Sequence, residues 1–134
     1  AGAERLVLCD TNGGFLSHDV QRIVGEVGEG LGNATLGCHF HNDTGMAVAN
    51  SITAVLEGVH QVQGCINGYG ERTGNADLCS LIPNLSLKMG IETIPEDRLS
   101  RLTTVSHHLA DLVNLTLDPH IPYVGSSAFT HKAG

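Results

Sequence analysis

The chain contains no tryptophan, and its aromatic complement is two Tyr and three Phe in 134 residues. A thick aromatic core is excluded, and 17 Gly point instead to many tight loops. Basic residues are also scarce, 7 Lys and Arg against 14 Asp and Glu, for a net charge of −7. A nucleic-acid surface needs a basic stripe, and the scattered cations here form neither that nor a polybasic membrane patch. No apolar run approaches the about 18 residues of a membrane span. The first residues, Ala1-Gly2-Ala3-Glu4-Arg5, have no signal-peptide pattern. Cys9, Cys38, Cys65 and Cys79 form no Cys-x-x-Cys pair, which argues against a zinc ribbon or a thioredoxin motif. Three of them lie in apolar, strand-like runs, where cysteine behaves as a small buried hydrophobe. A reducing cytoplasm is the economical location.

What is present is a rhythm. Leu6-Val7-Leu8-Cys9 reads as a buried strand ending in the polar loop Asp10-Thr11-Asn12-Gly13-Gly14. A helix follows, with Ser17 as N-cap, Val20, Ile23, Val24, Val27 and Leu31 on one face, and Gly32-Asn33 as its stop. The second strand is Thr35 to Phe40. Its helix is capped near Asp43 or Thr44 and carries Val48, Ile52, Val55, Leu56 and Val59 on one face. The third strand is Gln61 to Ile66. A helix from about Ala76 follows, bent or delayed by Pro83. Strands recurring every ~26–30 residues, each followed by a helix, are βα units with parallel strands. Three such strands leave two open edges and cannot close a barrel, so the chain reads as part of a larger one. From Pro95 the pattern changes to one helix bearing Leu99, Leu102, Val105, Leu109 and Leu112. A Pro-punctuated stretch, 118–123, comes next. The expected division is residues 1–92 as βα units and 93–134 as a linker subdomain.

All three strands end in polar, Gly-containing loops, the place where α/β folds build sites. The sharpest feature is Gly37-Cys38-His39-Phe40-His41-Asn42-Asp43. Side chains alternate along a strand, so His39 and His41 share a face with Gly37, while Leu36, Cys38 and Phe40 take the other. Two imidazoles at i and i+2 can reach one divalent ion, with Asn42 and Asp43 as partners that fix their tautomers. The same spacing also suits hydrogen-bonded strand-end histidines with Asp43 as a helix cap. Asn75, closing the loop Gly68-Tyr69-Gly70-Glu71-Arg72-Thr73-Gly74, is either an N-cap or a further oxygen donor. Glu71 and Arg72 read as a solvated pair of opposite charge. His18, His60, His107, His108 and His120 read as surface or helix-end residues.

Four stretches, LCDTNGG, GCHFHNDTGMAVANS, VQGCINGYGERTGNADL and VGSSAFTHKAG, occur in a recognisable order and spacing. On these the chain resembles the acyl-CoA-condensing branch of the DRE-TIM metallolyase family, the 2-isopropylmalate, homocitrate and citramalate synthases. CDTNGG, NGYGERTGNADL and SAFTHKAG are most similar to the citramalate synthase group. The resemblance implies an α/β fold: the C-terminal part of a (β/α)8 TIM barrel, about its last three βα units, plus the start of a helical linker subdomain. It implies His39 and His41 as metal ligands, Asn75 as a residue at the metal, and Thr11 as a contact to the keto-acid carboxylate. It implies a divalent metal, Zn, Mn or Mg. The substrates would be acetyl-CoA and a small 2-keto acid, pyruvate giving citramalate, and the full-length enzyme a homodimer. A third metal ligand and a substrate-binding arginine would lie before Ala1. The linker motif is matched by Phe129, His131 and Gly134, and the histidine with the catalytic role would follow. No catalytic residue is therefore assigned, and the isolated chain is expected to be inactive.

Two other classes compete. An amidohydrolase barrel would carry its His-x-His on the first strand, with further histidines and an aspartate downstream. A retro-aldol lyase of the same superfamily would carry a cysteine in the glycine loop, and residues 67–75 contain none. The non-enzymatic alternative is an inactive fragment that assembles as a structural module.

Overall fold

The computed structural model describes residues 2–131. Strands β1 (Arg5–Asp10), β2 (Thr35–Phe40) and β3 (Gln61–Gln63) form one parallel sheet in the order β1-β2-β3. The register pairs Val7 with Gly37 and Cys9 with His39, then Gly37 with Gln61 and His39 with Gln63. Helices α1 (Ser17–Gly30) and α2 (Ala47–Leu56) follow β1 and β2. After β3 a single 3-10 turn, Ile66–Gly68, leads through the loop to α3 (Leu78–Pro83). Two further helices are α4 (Glu96–Leu99) and α5 (Leu102–Leu112). Among the described residues no helix is long and apolar enough to cross a membrane.

The two faces of the sheet differ, as alternation along β2 requires. Leu36, Cys38 and Phe40 are buried with Val20 and Val24 of α1 and Ala47 and Ala54 of α2. Burial of Leu36, Phe40, Val20 and Val24 contributes roughly 1.5–3 kcal/mol each. The opposite face carries Gly37 and His39, flanked in register by Val7, Cys9, Gln61 and Gln63. A side chain at Gly37 would crowd its neighbours: a Cβ would stand 3.1 Å from both Val7 Cγ2 and Gln61 Oε1, which would have to give by a few tenths of an ångström.

Several boundaries depart from the sequence reading. Ser17 is the first helical residue of α1 and Leu16 the cap. The orphan N–H of Leu16 is taken by Asp19 Oδ2 at 3.1 Å. Helix α2 starts at Ala47, beyond Asp43 and Thr44, and Asn42 Oδ1 accepts from the Ala47 N–H at 3.1 Å. Its buried residues are Ala47, Asn50, Ser51 and Ala54, while Leu56 is 70% exposed, because small residues let the helix lie close to the sheet. β3 stops at Gln63. Helix α3 begins at Leu78, capped by Asp77 Oδ1 on the Cys79 N–H at 2.9 Å. Pro83 lacks an N–H, and the helix continues as a π turn over Asn84–Lys88.

The single helix read from Pro95 onward is broken into α4 and α5. Leu102, Ser106 and Ala110 are the buried stripe of α5, and Val105 and Leu112 face outward. Leu102 packs with Cys79 and Val124, and Ile66, Ile82, Leu99, Ile121 and Tyr123 surround them. This second core docks the segment directly on the third βα unit. Asn67 cements it, donating from Nδ2 to the Ser106 carbonyl at 2.9 Å and accepting the Ser106 hydroxyl on Oδ1.

Candidate metal centre at the strand ends

Three loops meet where the strands end. Asp10 closes the first, its buried carboxylate accepting the N–H groups of Gly14 and Phe15 at 3.2 and 3.0 Å. The second is stitched to the first by His41 N–H on the Asp10 carbonyl and Thr44 N–H on the Gly13 carbonyl. The third joins the second through Asn42 N–H on the Gly74 carbonyl at 2.9 Å, and His41 bridges Asn75 in antiparallel sense. Backbone pairing therefore sets His41 beside Asn75 before any side chain is considered.

His39 and His41 stand edge to face, ring centroids 5.1 Å apart and planes at 74°. The Nδ1 atoms of both rings are buried without a hydrogen-bond partner, and so is Asn75 Oδ1. The amide of Asn75 is not free to turn. Its Nδ2 donates to the Tyr69 carbonyl at 3.0 Å and to Cys65 Sγ at 3.4 Å, which leaves the oxygen as the presented atom. Buried polar atoms without partners are costly, about 1–3 kcal/mol each, and three of them together in one region require an explanation. A divalent ion supplies one: two imidazole nitrogens and an amide oxygen suit Zn, Mn or a similar cation. Among the described residues no cluster of three His, Cys, Asp or Glu side chains exists, and two imidazoles with one amide oxygen are fewer donors than a closed four-ligand site uses.

Asn42 and Asp43 do not orient the imidazoles, contrary to the sequence reading. Asn42 caps α2. Asp43 binds Arg72 through both oxygens, Nε–Oδ1 at 2.8 Å and Nη2–Oδ2 at 2.9 Å. The hydrogen bond from Arg72 holds the Asp43 carboxyl below the usual carboxylate range. Arg72 is accordingly not simply a solvated partner of Glu71, which is 3.9 Å away and 83% exposed. Asn75 is not the helix cap, a role Asp77 fills. Thr11 is exposed at the end of β1, its carbonyl accepting from Arg72 Nη2 at 2.7 Å. Tyr69, not singled out in the sequence, has a buried hydroxyl without a partner. His18, His60, His107, His108 and His120 are all exposed. Phe129 and His131 are exposed as well, and Gly134 of the linker motif lies outside the described residues.

Comparison with known proteins gives the class. The HMGL-like family model matches residues 1–109, and the chain belongs to that family. Its three βα units are part of a TIM barrel. They superpose on an HMG-CoA lyase from Acinetobacter baumannii, solved in complex with coenzyme A and 3-methylmalate. That match has a TM-score of 0.79 at 26% identity, covering 99% of this chain and 45% of the lyase. An (R)-citramalate synthase from Aquifex aeolicus is 53% identical over 133 residues, 99% of this chain and 25% of that protein. A probable 2-isopropylmalate synthase from Methanopyrus kandleri is 37% identical over 134 residues. The chain spans about a quarter of the length of the curated relatives it matches.

Proposed function

We propose that the chain is the part of a citramalate synthase that carries metal and keto-acid contacts, in an enzyme condensing acetyl-CoA with pyruvate. The observation that carries this reading is the 53% identity, over 99% of the chain, to the Aquifex aeolicus (R)-citramalate synthase. The donor set at the strand ends supports it chemically. His39, His41 and Asn75 hold a divalent ion through the three unpartnered atoms, and Thr11 donates its hydroxyl to the keto-acid carboxylate. When bound, the ion supplies Lewis-acid polarisation of the keto carbonyl. Asp10 and Asn42 act through the backbone, fixing the loops that carry these groups. Residues 93–134 are proposed as the start of the linker subdomain, and the enolising base is proposed to lie outside these 134 residues. The 134-residue chain alone is therefore expected to give no turnover.

A second reading, 2-isopropylmalate synthase, is favoured by the 37% identity to the Methanopyrus kandleri protein. The experiment that separates them is CoA release by the full-length gene product, followed by thiol titration, with pyruvate and with bulkier branched 2-keto acids. Preference for pyruvate supports the first reading. Preference for a branched acid overturns it in favour of the second, and absence of CoA release with any 2-keto acid overturns both.

A further inference from the structure

We propose that Arg72 is a positioning residue: its guanidinium clamps the three strand-end loops and so fixes Thr11 relative to the His39, His41 and Asn75 donors. The inference rests on the reading of these four as substrate and metal contacts.

The geometry is specific to arginine. From the third loop, Nε and Nη2 reach the two oxygens of Asp43 in the second loop at 2.8 and 2.9 Å. Nη2 also donates to the Thr11 carbonyl in the first loop at 2.7 Å. A planar fork makes such paired, directed bonds, and the point charge of a lysine cannot. Each anchor sits close in sequence to a site residue. Asp43 follows His41 by two positions, Arg72 precedes Asn75 by three, and the bonded carbonyl is that of Thr11 itself.

The surroundings are shaped for the clamp. Gly13, at φ +62°, passes so near Asp43 that a Cβ would stand 2.5 Å from Oδ2 and 2.8 Å from the backbone nitrogen. The carboxylate occupies the space that a side chain at 13 would need. Arg72 itself has φ +55°, a left-handed conformation uncommon for a residue with a long side chain. The loop adopts it between Gly70 and Gly74, which turns the guanidinium toward the other two loops. The ion pair is partly exposed, 43% for the Arg72 side chain and 26% for Asp43, so its weight in global stability is small. Its effect falls on local geometry, where a misplacement of about 1 Å can lower turnover by roughly a hundredfold.

The test uses the full-length protein with Arg72→Lys, Arg72→Asn and Asp43→Asn. Asparagine tolerates the left-handed backbone, so Arg72→Asn separates loss of the fork from loss of the fold. Hydrogen exchange, read without any substrate, should quicken in residues 10–16 and 41–46 in every variant and stay unchanged in α1 and α5. The KM for pyruvate should rise roughly ten- to hundredfold while that for acetyl-CoA stays within about twofold. Arg72→Lys should not rescue either effect. Unchanged exchange in both loops, rescue by lysine, or an equal rise in both KM values would overturn the clamp. A wild-type enzyme that turns over no 2-keto acid sinks the proposed function, and the exchange measurement then still decides the clamp.

Discussion

Gly70 lies so close to the side chain of Asn75 that a Cβ at position 70 would stand 3.0 Å from Asn75 Cγ and overlap Nδ2. The glycine is thus what lets the Asn75 amide lie between Tyr69 and Cys65 with its oxygen presented. Gly70→Ala should push the amide out of that seat, since atoms this close must move. Loss of the Tyr69 contact also releases the amide to rotate. Divalent-ion affinity in the full-length enzyme, measured by competition with a chromophoric chelator, should fall roughly tenfold or more. Wild-type affinity in Gly70→Ala would show that the oxygen of Asn75 is not a donor.

His39→Ala and His41→Ala test the nitrogen donors. Each removes a buried Nδ1 that has no partner, so the apoprotein gives up no hydrogen bond. Unfolding free energy should change by about 1 kcal/mol or less, the lost ring packing offset by removal of an unsatisfied group. Metal content after dialysis should drop to background, and turnover with it. Full metal content and activity in either variant would refute the assignment.

What the sequence made legible is what local chemistry controls. β2 runs over Thr35–Phe40 as read, with Cys38 and Phe40 buried and His39 on the opposite face, because period-two alternation leaves no other choice. Helix α1 buries Val20 and Val24 of the face read for it. The errors share a cause. Ala47, Ser51 and Ala54 of α2, and Ser106 and Ala110 of α5, are buried because backbones approach closely there, and small residues carry almost no hydrophobic signal. Contacts between distant loops were equally silent. Arg72 finds Asp43 across 29 positions and Asn67 finds Ser106 across 39, and adjacency to Glu71 suggested a nearer partner. Asn75 and Tyr69 differ instructively: both have orphaned atoms, and a motif drew attention to one of them alone.

Thr11→Val separates substrate from scaffold. Valine keeps the branched shape and the carbonyl that Arg72 holds, and deletes the hydroxyl alone. A hydrogen bond to a carboxylate is worth roughly 1.5–3 kcal/mol. The KM for the keto acid should rise about 10- to 150-fold by that arithmetic. The KM for acetyl-CoA should barely move. Steady-state kinetics with each substrate varied in turn decide the matter, and a collapse in acetyl-CoA binding would place Thr11 in the wrong pocket.

The last prediction concerns alkaline pH and the core beneath the site. Burial pushes the Cys38 thiol from its ordinary value near 9 up to about 12, with the neighbouring Cys9 adding to the effect. Cys79 is raised in the same direction, mainly by burial. A raised pKa means the folded state resists ionisation that the unfolded chain accepts. The favourable contribution is therefore complete below pH 9 and is lost as pH rises from 9 toward 12. The Cys38 thiol costs about 1.4 kcal/mol per pH unit within that window. Urea unfolding between pH 8 and 11 should show stability falling on the alkaline side. In Cys38→Ala the baseline drops because a buried side chain is trimmed, but the alkaline slope should lessen by about one proton. Iodoacetamide should leave Cys38 unmodified at pH 8 until the chain unfolds, since the thiolate is the reactive form. Rapid alkylation of Cys38 in the folded protein, or an alkaline slope identical in Cys38→Ala, would mean that the thiol between the sheet and its helices is not shielded as the packing requires.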